Sequence, residues 1–207
     1  MKKRIDLENW NRKEHFLFFS KFDEPFFGVT VNIDCSRGYQ MAKEKKMSFF
    51  LYYLYRALKA VNRIENFKYR IIQNDVYEYE QVNASPTINR KDGTFGFAYM
   101  NYFDEEAEFY RNALKEIEKV QNSNSLLPAL TGENVIHFSA IPWINFTSLS
   151  HARSYSQADS CPKISFGKIT EVNGVKTMPT SIHVHHALMD GFHVGKFIEE
   201  FQGLLNE

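Results

Sequence analysis

Cysteine is scarce. Cys35 and Cys161 are the only two in 207 residues, and they form neither a metal-ligand spacing nor a disulfide framework. Free, mostly buried thiols in a reducing cytoplasm are the expectation. Net charge is lacking too: 25 Lys and Arg balance 25 Asp and Glu. The chain therefore has no electrostatic footprint for nucleic acid or a membrane surface. Long apolar runs are missing as well. The most apolar stretch, Phe49 to Val61, is interrupted by Arg56 and Lys59 and is too short to span a bilayer, so it reads as a core-facing helix. The N-terminus, Met1-Lys2-Lys3-Arg4-Ile5-Asp6, has no apolar stretch of the signal-peptide kind. No internal repeat, low-complexity tract or linker divides the chain. The expectation is a cytoplasmic single domain over residues 1–207, with small molecules or other protein chains as partners.

Aromatic residues, by contrast, are abundant, with 19 Phe and 11 Tyr. They either enlarge the core or line a pocket or subunit interface. Periodicity predicts strands at Phe26–Ile33, Tyr69–Ile72, Val76–Val82, Thr94–Asn101, Val135–Ile141, Lys163–Val172 and Met178–Val184. Helices are expected from a cap at Asp34 or Ser36 towards Lys46, over Phe49–Ile64, over Asp104–Val120 with Asp104 as cap, and over Gly191–Leu205. Asn173-Gly174 is a strong hairpin signal. This pattern points to an α+β fold: a two-layer sandwich in which helices cover one side of a mixed β-sheet.

The chemistry concentrates in Ser181-Ile182-His183-Val184-His185-His186, which leaves a strand, and Asp190-Gly191-Phe192-His193, which enters a helix. Strand alternation sets His183 and His185 on one face and His186 on the other. An imidazole with an ordinary pKa of about 6.5 can take a proton from a hydroxyl near neutral pH. Taken alone, these residues leave three readings open: a catalytic base, core histidines satisfied by backbone carbonyls, or a zinc site using His183, His185, His193 and Asp190. Alternation scatters that last set over both faces, so no metal is expected.

The stretch from His183 to Gly195, His-Val-His-His-Ala-Leu-Met-Asp-Gly-Phe-His-Val-Gly, resembles the signature of the chloramphenicol acetyltransferase family. Asn9-Trp10-Asn11-Arg12-Lys13-Glu14-His15-Phe16 resembles that family's N-terminal motif, and Phe138-Ser139-Ala140-Ile141-Pro142-Trp143 with Ile144 to Ser148 resembles its central strand. The three lie in the family's order over nearly the whole chain. The shorter pattern of two histidines, three residues and Asp-Gly also resembles dihydrolipoamide acyltransferase cores and peptide-synthetase condensation domains.

The resemblance implies an O-acetyltransferase moving an acetyl group from acetyl-CoA, its co-substrate, to a hydroxyl of chloramphenicol or a similar small molecule. It implies His186 as general base, its tautomer kept by its own backbone, and Ser139 as donor to the oxyanion. A Ser-His-Asp relay is tempting, but the resemblance pairs Asp190 with Arg12 as a brace for the catalytic segment. It sets Trp143, Lys168 and Ser165 on the coenzyme side, and Phe18, Phe19 and Phe27 around the acceptor. It also implies a homotrimer with active sites at subunit interfaces and a role in antibiotic resistance. Departures cluster on the acceptor side: Asp23-Glu24-Pro25, His137 for an asparagine, Met189 for a cysteine, and Leu149-Ser150-His151-Ala152-Arg153. A related CoA-dependent acyltransferase with another acceptor is the alternative, as is a non-catalytic ligand-binding protein on the same fold.

Overall fold

The computed structural model describes residues 1–127, 132–154 and 159–207. In chain order the elements are β1 (Lys2–Arg4), α1 (Lys13–Phe19), β2 (Phe26–Asp34), α2 (Ser36–Glu44), α3 (Phe49–Asn62), a 3₁₀ turn (Glu65–Lys68), β3 (Tyr69–Ile72), β4 (Asp75–Tyr79), β5 (Asn83–Asn89), β6 (Phe95–Phe97), α4 (Glu106–Gln121), β7 (Val135–Ala140), β8 (Lys163–Phe166), β9 (Thr170–Val172), β10 (Val175–His185) and α5 (Gly191–Leu205).

The larger sheet runs in the order β2-β10-β8-β7-β5-β6, with β9 paired to β10. The β5–β7 and β7–β8 pairs are parallel, and the other pairs are antiparallel. One face packs on helices. Leu51, Leu54 and Leu58 of α3 and Phe197 and Phe201 of α5 share a core with Phe138, Ile164, Ile182 and Val184 of the sheet. The arrangement is the expected α+β sandwich of a mixed sheet and a helical layer. The second face is polar, because the residues between those core positions point the other way.

A smaller antiparallel sheet, β1-β4-β3, builds a second core. Phe16 of α1 packs there with Tyr69, Val76, Ala187 and Leu188, and Trp10 joins at the edge. This cluster fixes the turn after β10 against α1.

Several local expectations differ from the structure. β5 falls on Asn83-Ala84-Ser85-Pro86-Thr87-Ile88-Asn89, where Pro86 and the polar residues hide the strand signal. The segment expected as one strand from Lys163 to Val172 breaks into β8 and β9 at Gly167. A side chain there would meet the carbonyl oxygen of Ile144, with Cβ only 2.9 Å away. Asp104 does not cap α4; Glu105 holds the N-cap position without a side-chain bond. The hairpin turn at Asn173-Gly174 forms, with φ of 53° and 82° as a two-residue turn requires.

Candidate active site

β10 ends at His185, and the chain then turns through 186–190 into α5. The His186 amide donates to the Pro25 carbonyl at 2.8 Å, and Leu188 N donates to the His185 carbonyl at 3.0 Å. With Ala187 and Leu188 buried in the second core, little freedom is left to the His186 backbone. Its imidazole stacks on the Phe19 ring, with centroids 3.9 Å apart and planes 6° from parallel. Phe27 meets the ring from β2 at 4.6 Å. Phe18 is 59% exposed and packs edge-on against Phe19. Of the three aromatic residues expected around an acceptor, Phe19 and Phe27 thus hold the His186 ring, and Phe18 packs behind Phe19.

Nδ1 of His186 is buried and has no hydrogen-bond partner among the described residues. This corrects the expectation of a bond from the ring to its own backbone. The His186 carbonyl is turned instead towards Arg12, whose Nη2 donates to it at 3.3 Å. Arg12 Nη1 donates to Asp190 Oδ2 at 2.8 Å. Asp190 is also the N-cap of α5, accepting from the Phe192 amide at 3.0 Å, with His193 Nδ1 at 2.9 Å from its Oδ1. Burial pushes the Asp190 carboxyl up, but the Arg12 hydrogen bond, His193 and the Phe192 amide outweigh it and hold it down at about 2. Asp190 therefore braces the turn and makes no bond to the His186 ring.

Ser139 lies on the polar face of β7. Its register aligns it with Ser165 of β8, which aligns with Ser181 of β10. One step along the same face, His137, Lys163 and His183 form a parallel row. Ser139 is half-buried, and its hydroxyl makes no hydrogen bond among the described residues, so it is free to donate outward. Ser165 is fully buried, with Oγ 3.5 Å from His151 Nε2. Burial, with help from Lys163, brings His137 down to about 4; burial and neighbouring His183 do the same for His151.

His185 faces the polar side beside Phe26, at 5.3 Å, while His186 meets Phe27, so the two histidines diverge as strand alternation requires. Consequently Ser139 and His186 are not brought together within one chain. They are separated by two strand spacings of about 4.8 Å and about five residues of 3.3 Å rise, roughly 19 Å in all, and face opposite sides.

At the other end of β7, the Lys168 amide donates to the Ile144 carbonyl at 2.8 Å, which sets Lys168 beside the turn bearing Trp143. Trp143 is 66% exposed. Lys168 borders a largely apolar cavity of about 540 Å³ whose walls include Phe49, Phe50, Tyr53, Ala140 and Pro142. Sequence reasoning did not find this cavity, since α3 reads only as core. Among the described residues no three His, Cys, Asp or Glu side chains gather as a metal site. His193 is engaged with Asp190, and His183 with Ser181. No helix of the described residues is long and apolar enough to cross a membrane.

The fold is shared with solved acetyltransferases. A solved structure of a probable dihydrolipoamide acetyltransferase from Listeria monocytogenes superposes with a TM-score of 0.67 at 14% identity, covering 93% of this chain and 88% of that one. A solved chloramphenicol acetyltransferase superposes much more closely, with a TM-score of 0.92 at 31% identity over 99% of this chain and 100% of that one. A chloramphenicol acetyltransferase from Bacillus pumilus is 31% identical over 207 residues, 99% of this chain and 94% of its own. The family model described as chloramphenicol acetyltransferase matches residues 2–202. The chain belongs to the chloramphenicol acetyltransferase family, and its relatives are transferases.

Proposed function

We propose that the protein transfers the acetyl group of acetyl-CoA to a hydroxyl of a small molecule, chloramphenicol or a compound like it, with His186 as general base. The observation that carries this reading is the gripped imidazole at the turn from β10 into α5, in a chain of an acetyltransferase family. With Nδ1 buried, Nε2 is the nitrogen left to meet an acceptor. As the acceptor oxygen attacks the thioester carbon, its proton passes to Nε2 and the new C–O bond forms. Ser139 Oγ–H donates to the resulting oxyanion, an effect worth about 3 kcal/mol at comparable sites. Collapse breaks the C–S bond, and the imidazolium returns the proton to the departing sulfur. The products are the acetyl ester and the CoA thiol. General base catalysis of this kind contributes roughly 10²–10⁴-fold.

The coenzyme enters, in this reading, from the Trp143 and Lys168 end. The apolar cavity beside Lys168 suits a pantetheine arm, and the exposed ammonium suits an adenosine phosphate. Ser165 supports the reacting centre from the neighbouring strand, and Phe18, Phe19 and Phe27 wall the acceptor on the side of the base. The separation of Ser139 from His186 favours an active site shared between subunits, the base of one facing the Ser139 of the next in a homotrimer. With chloramphenicol as acceptor, the cellular role is antibiotic resistance in the cytoplasm.

Subunit mixing tests the base and the shared site together. His186→Ala and Ser139→Ala are each expected to lose most acetyl-CoA-dependent thiol release. Refolded together in equal amounts they recover about a quarter of wild-type activity, because a cyclic interface can pair an intact His186 with an intact Ser139 from another subunit. Wild-type turnover by His186→Ala alone would remove the base. Recovery of nothing would remove the shared site.

A further inference from the structure

Between α2 and the hairpin that joins β9 to β10 lies a second cavity, polar and of about 720 Å³, whose walls carry Arg37, Lys43 and Lys176. Lys43 Nζ stands 4.7 Å from the centre of the Tyr39 ring and Lys176 Nζ 5.6 Å from it. One ring thus gathers two ammonium groups that would otherwise repel each other. Lys176 is paired with Glu171, and its amide donates to Ser36 Oγ at 2.8 Å. Among the described residues, neither Arg37 nor Lys43 has an ion-pair partner. Glu44 is the one carboxylate on the cavity wall, and it accepts from Gln40 Nε2 at 2.9 Å. The wall is therefore cationic. It also adjoins the apolar cavity beside Lys168. Phe49 of that cavity meets the Tyr39 ring edge-on, with centroids 5.2 Å apart. Met178, on the same apolar wall, follows Lys176 by two residues on β10 and shares its face.

We propose that Arg37, Lys43 and Lys176 hold the 3′-phosphate of the coenzyme and make the enzyme select 3′-phosphorylated donors over dephosphorylated ones. The proposal rests on the acetyl-transfer reading and assigns the far end of its donor. Sheet order supplies the track. Ala140, the residue after Ser139, lines the apolar cavity from β7, while Met178 lines it from β10, two strands across. An arm whose thioester lies by Ala140 therefore crosses β8, where Lys168 follows the strand, and leaves the cavity beside Phe49 and Tyr39. Charge supplies the occupant. A phosphate monoester carries about 1.5–2 negative charges near pH 7, and the coenzyme's diphosphate adds to them. Lys168 alone balances only part of this, and it stands nearer the middle of the track. The cations of the second cavity stand at its end. A guanidinium offers a planar fork of donors and each ammonium a mobile point charge, so the three suit the several oxygens of a monoester. Lys43, resting only on a ring, can turn to such an oxygen without breaking an ion pair.

Titration calorimetry of the purified protein with coenzyme A and with 3′-dephospho-coenzyme A tests this, because the two differ only in the monoester. Wild type is expected to bind coenzyme A about tenfold more tightly, the combined effect of several exposed ion pairs. Added salt narrows the gap. The triple variant Arg37→Gln, Lys43→Gln, Lys176→Gln loses the preference, its coenzyme A affinity falling to that of the dephospho form. Dephospho-coenzyme A itself binds the variant within about twofold of wild type, which shows the apolar cavity intact. The charge-keeping triple variant Arg37→Lys, Lys43→Arg, Lys176→Arg retains most of the preference. Equal affinities in the wild type, as a site for free phosphate alone would give, overturn the proposal and leave the coenzyme reading standing. So does a preference that survives in the glutamine variant. Binding of neither coenzyme removes the acetyl-transfer reading itself, and the proposal with it.

Discussion

Arg12 Nη1 and Asp190 Oδ2 meet at 2.8 Å across 178 residues of chain, and the same guanidinium reaches the carbonyl of His186. One buried cation thereby ties α1 and α5 to the residue proposed as the base. Arg12 is only 7% exposed, so removing its partner strands a charge. Asp190→Ala also deletes the N-cap of α5. The expected loss is about 3 kcal/mol from the pair and about 1 kcal/mol from the cap. Asp190→Asn keeps the cap and loses only the charge, so it falls between wild type and alanine. Urea unfolding of the three proteins checks the order, and equal midpoints would remove the brace.

The Phe19 ring lies flat on the His186 imidazole. Phe19→Ala frees the ring to sample other rotamers, and turnover is expected to fall about tenfold through misorientation. The acetyl-CoA KM changes little, because Phe19 contacts the imidazole and stands on the acceptor side in the proposed reading. A thiol-release assay separates the two parameters. A variant with wild-type kcat shows that the stack has no positioning role.

Gly28 and His183 share a space that a side chain cannot enter. Gly28→Ala is expected to push the imidazole off Ser181 and His151 and to destabilise the β2–β10 pair by about 1–3 kcal/mol. Adding His183→Ala vacates the space and recovers most of the loss. The double-mutant cycle reads this coupling directly; additive effects would show the clash to be relieved elsewhere.

Acid should weaken the fold in two stages. Burial brings His137, His151 and His185 to about 4 from an ordinary 6.5, assisted by Lys163, His183 and Arg153 respectively. Between those values the unfolded chain binds protons that the folded chain refuses, so stability falls as pH drops from about 6.5 towards 4. Asp190, held at about 2 against an ordinary 3.8, adds stability above 3.8 that disappears as pH falls through 2. Urea midpoints at one-unit steps from pH 8 to 4 measure the first stage. A flat profile would show that these imidazoles are not kept neutral by the fold.

Much of this was legible in the order of residues. The helices α3 and α5 announce themselves because their apolar positions recur at helical spacing, and the Asn-Gly turn because such residues adopt positive φ twice in succession at little cost. The alternation His183, His185 against His186 is a local property of an extended chain, so it needs no tertiary information. β5 was not legible. Pro86 reads as a breaker, and only its position between β6 and β7 makes it a strand.

The facing of the three histidines follows from the sequence by itself, and the residues proposed for the site, His186, Ser139, Arg12 and Asp190, are picked out there by the resemblance to the family. Tertiary structure decided which of them touch. Arg12 and Asp190 meet because α1 and the start of α5 pack on one small core, and Phe19 stacks on His186 for the same reason. The separation of Ser139 from His186, roughly 19 Å by strand spacing and rise, arises from strand order and sheet facing, which depend on pairings between residues far apart in the chain. Local pattern states which way a side chain points from its own strand. Only the assembled sheet states what stands opposite.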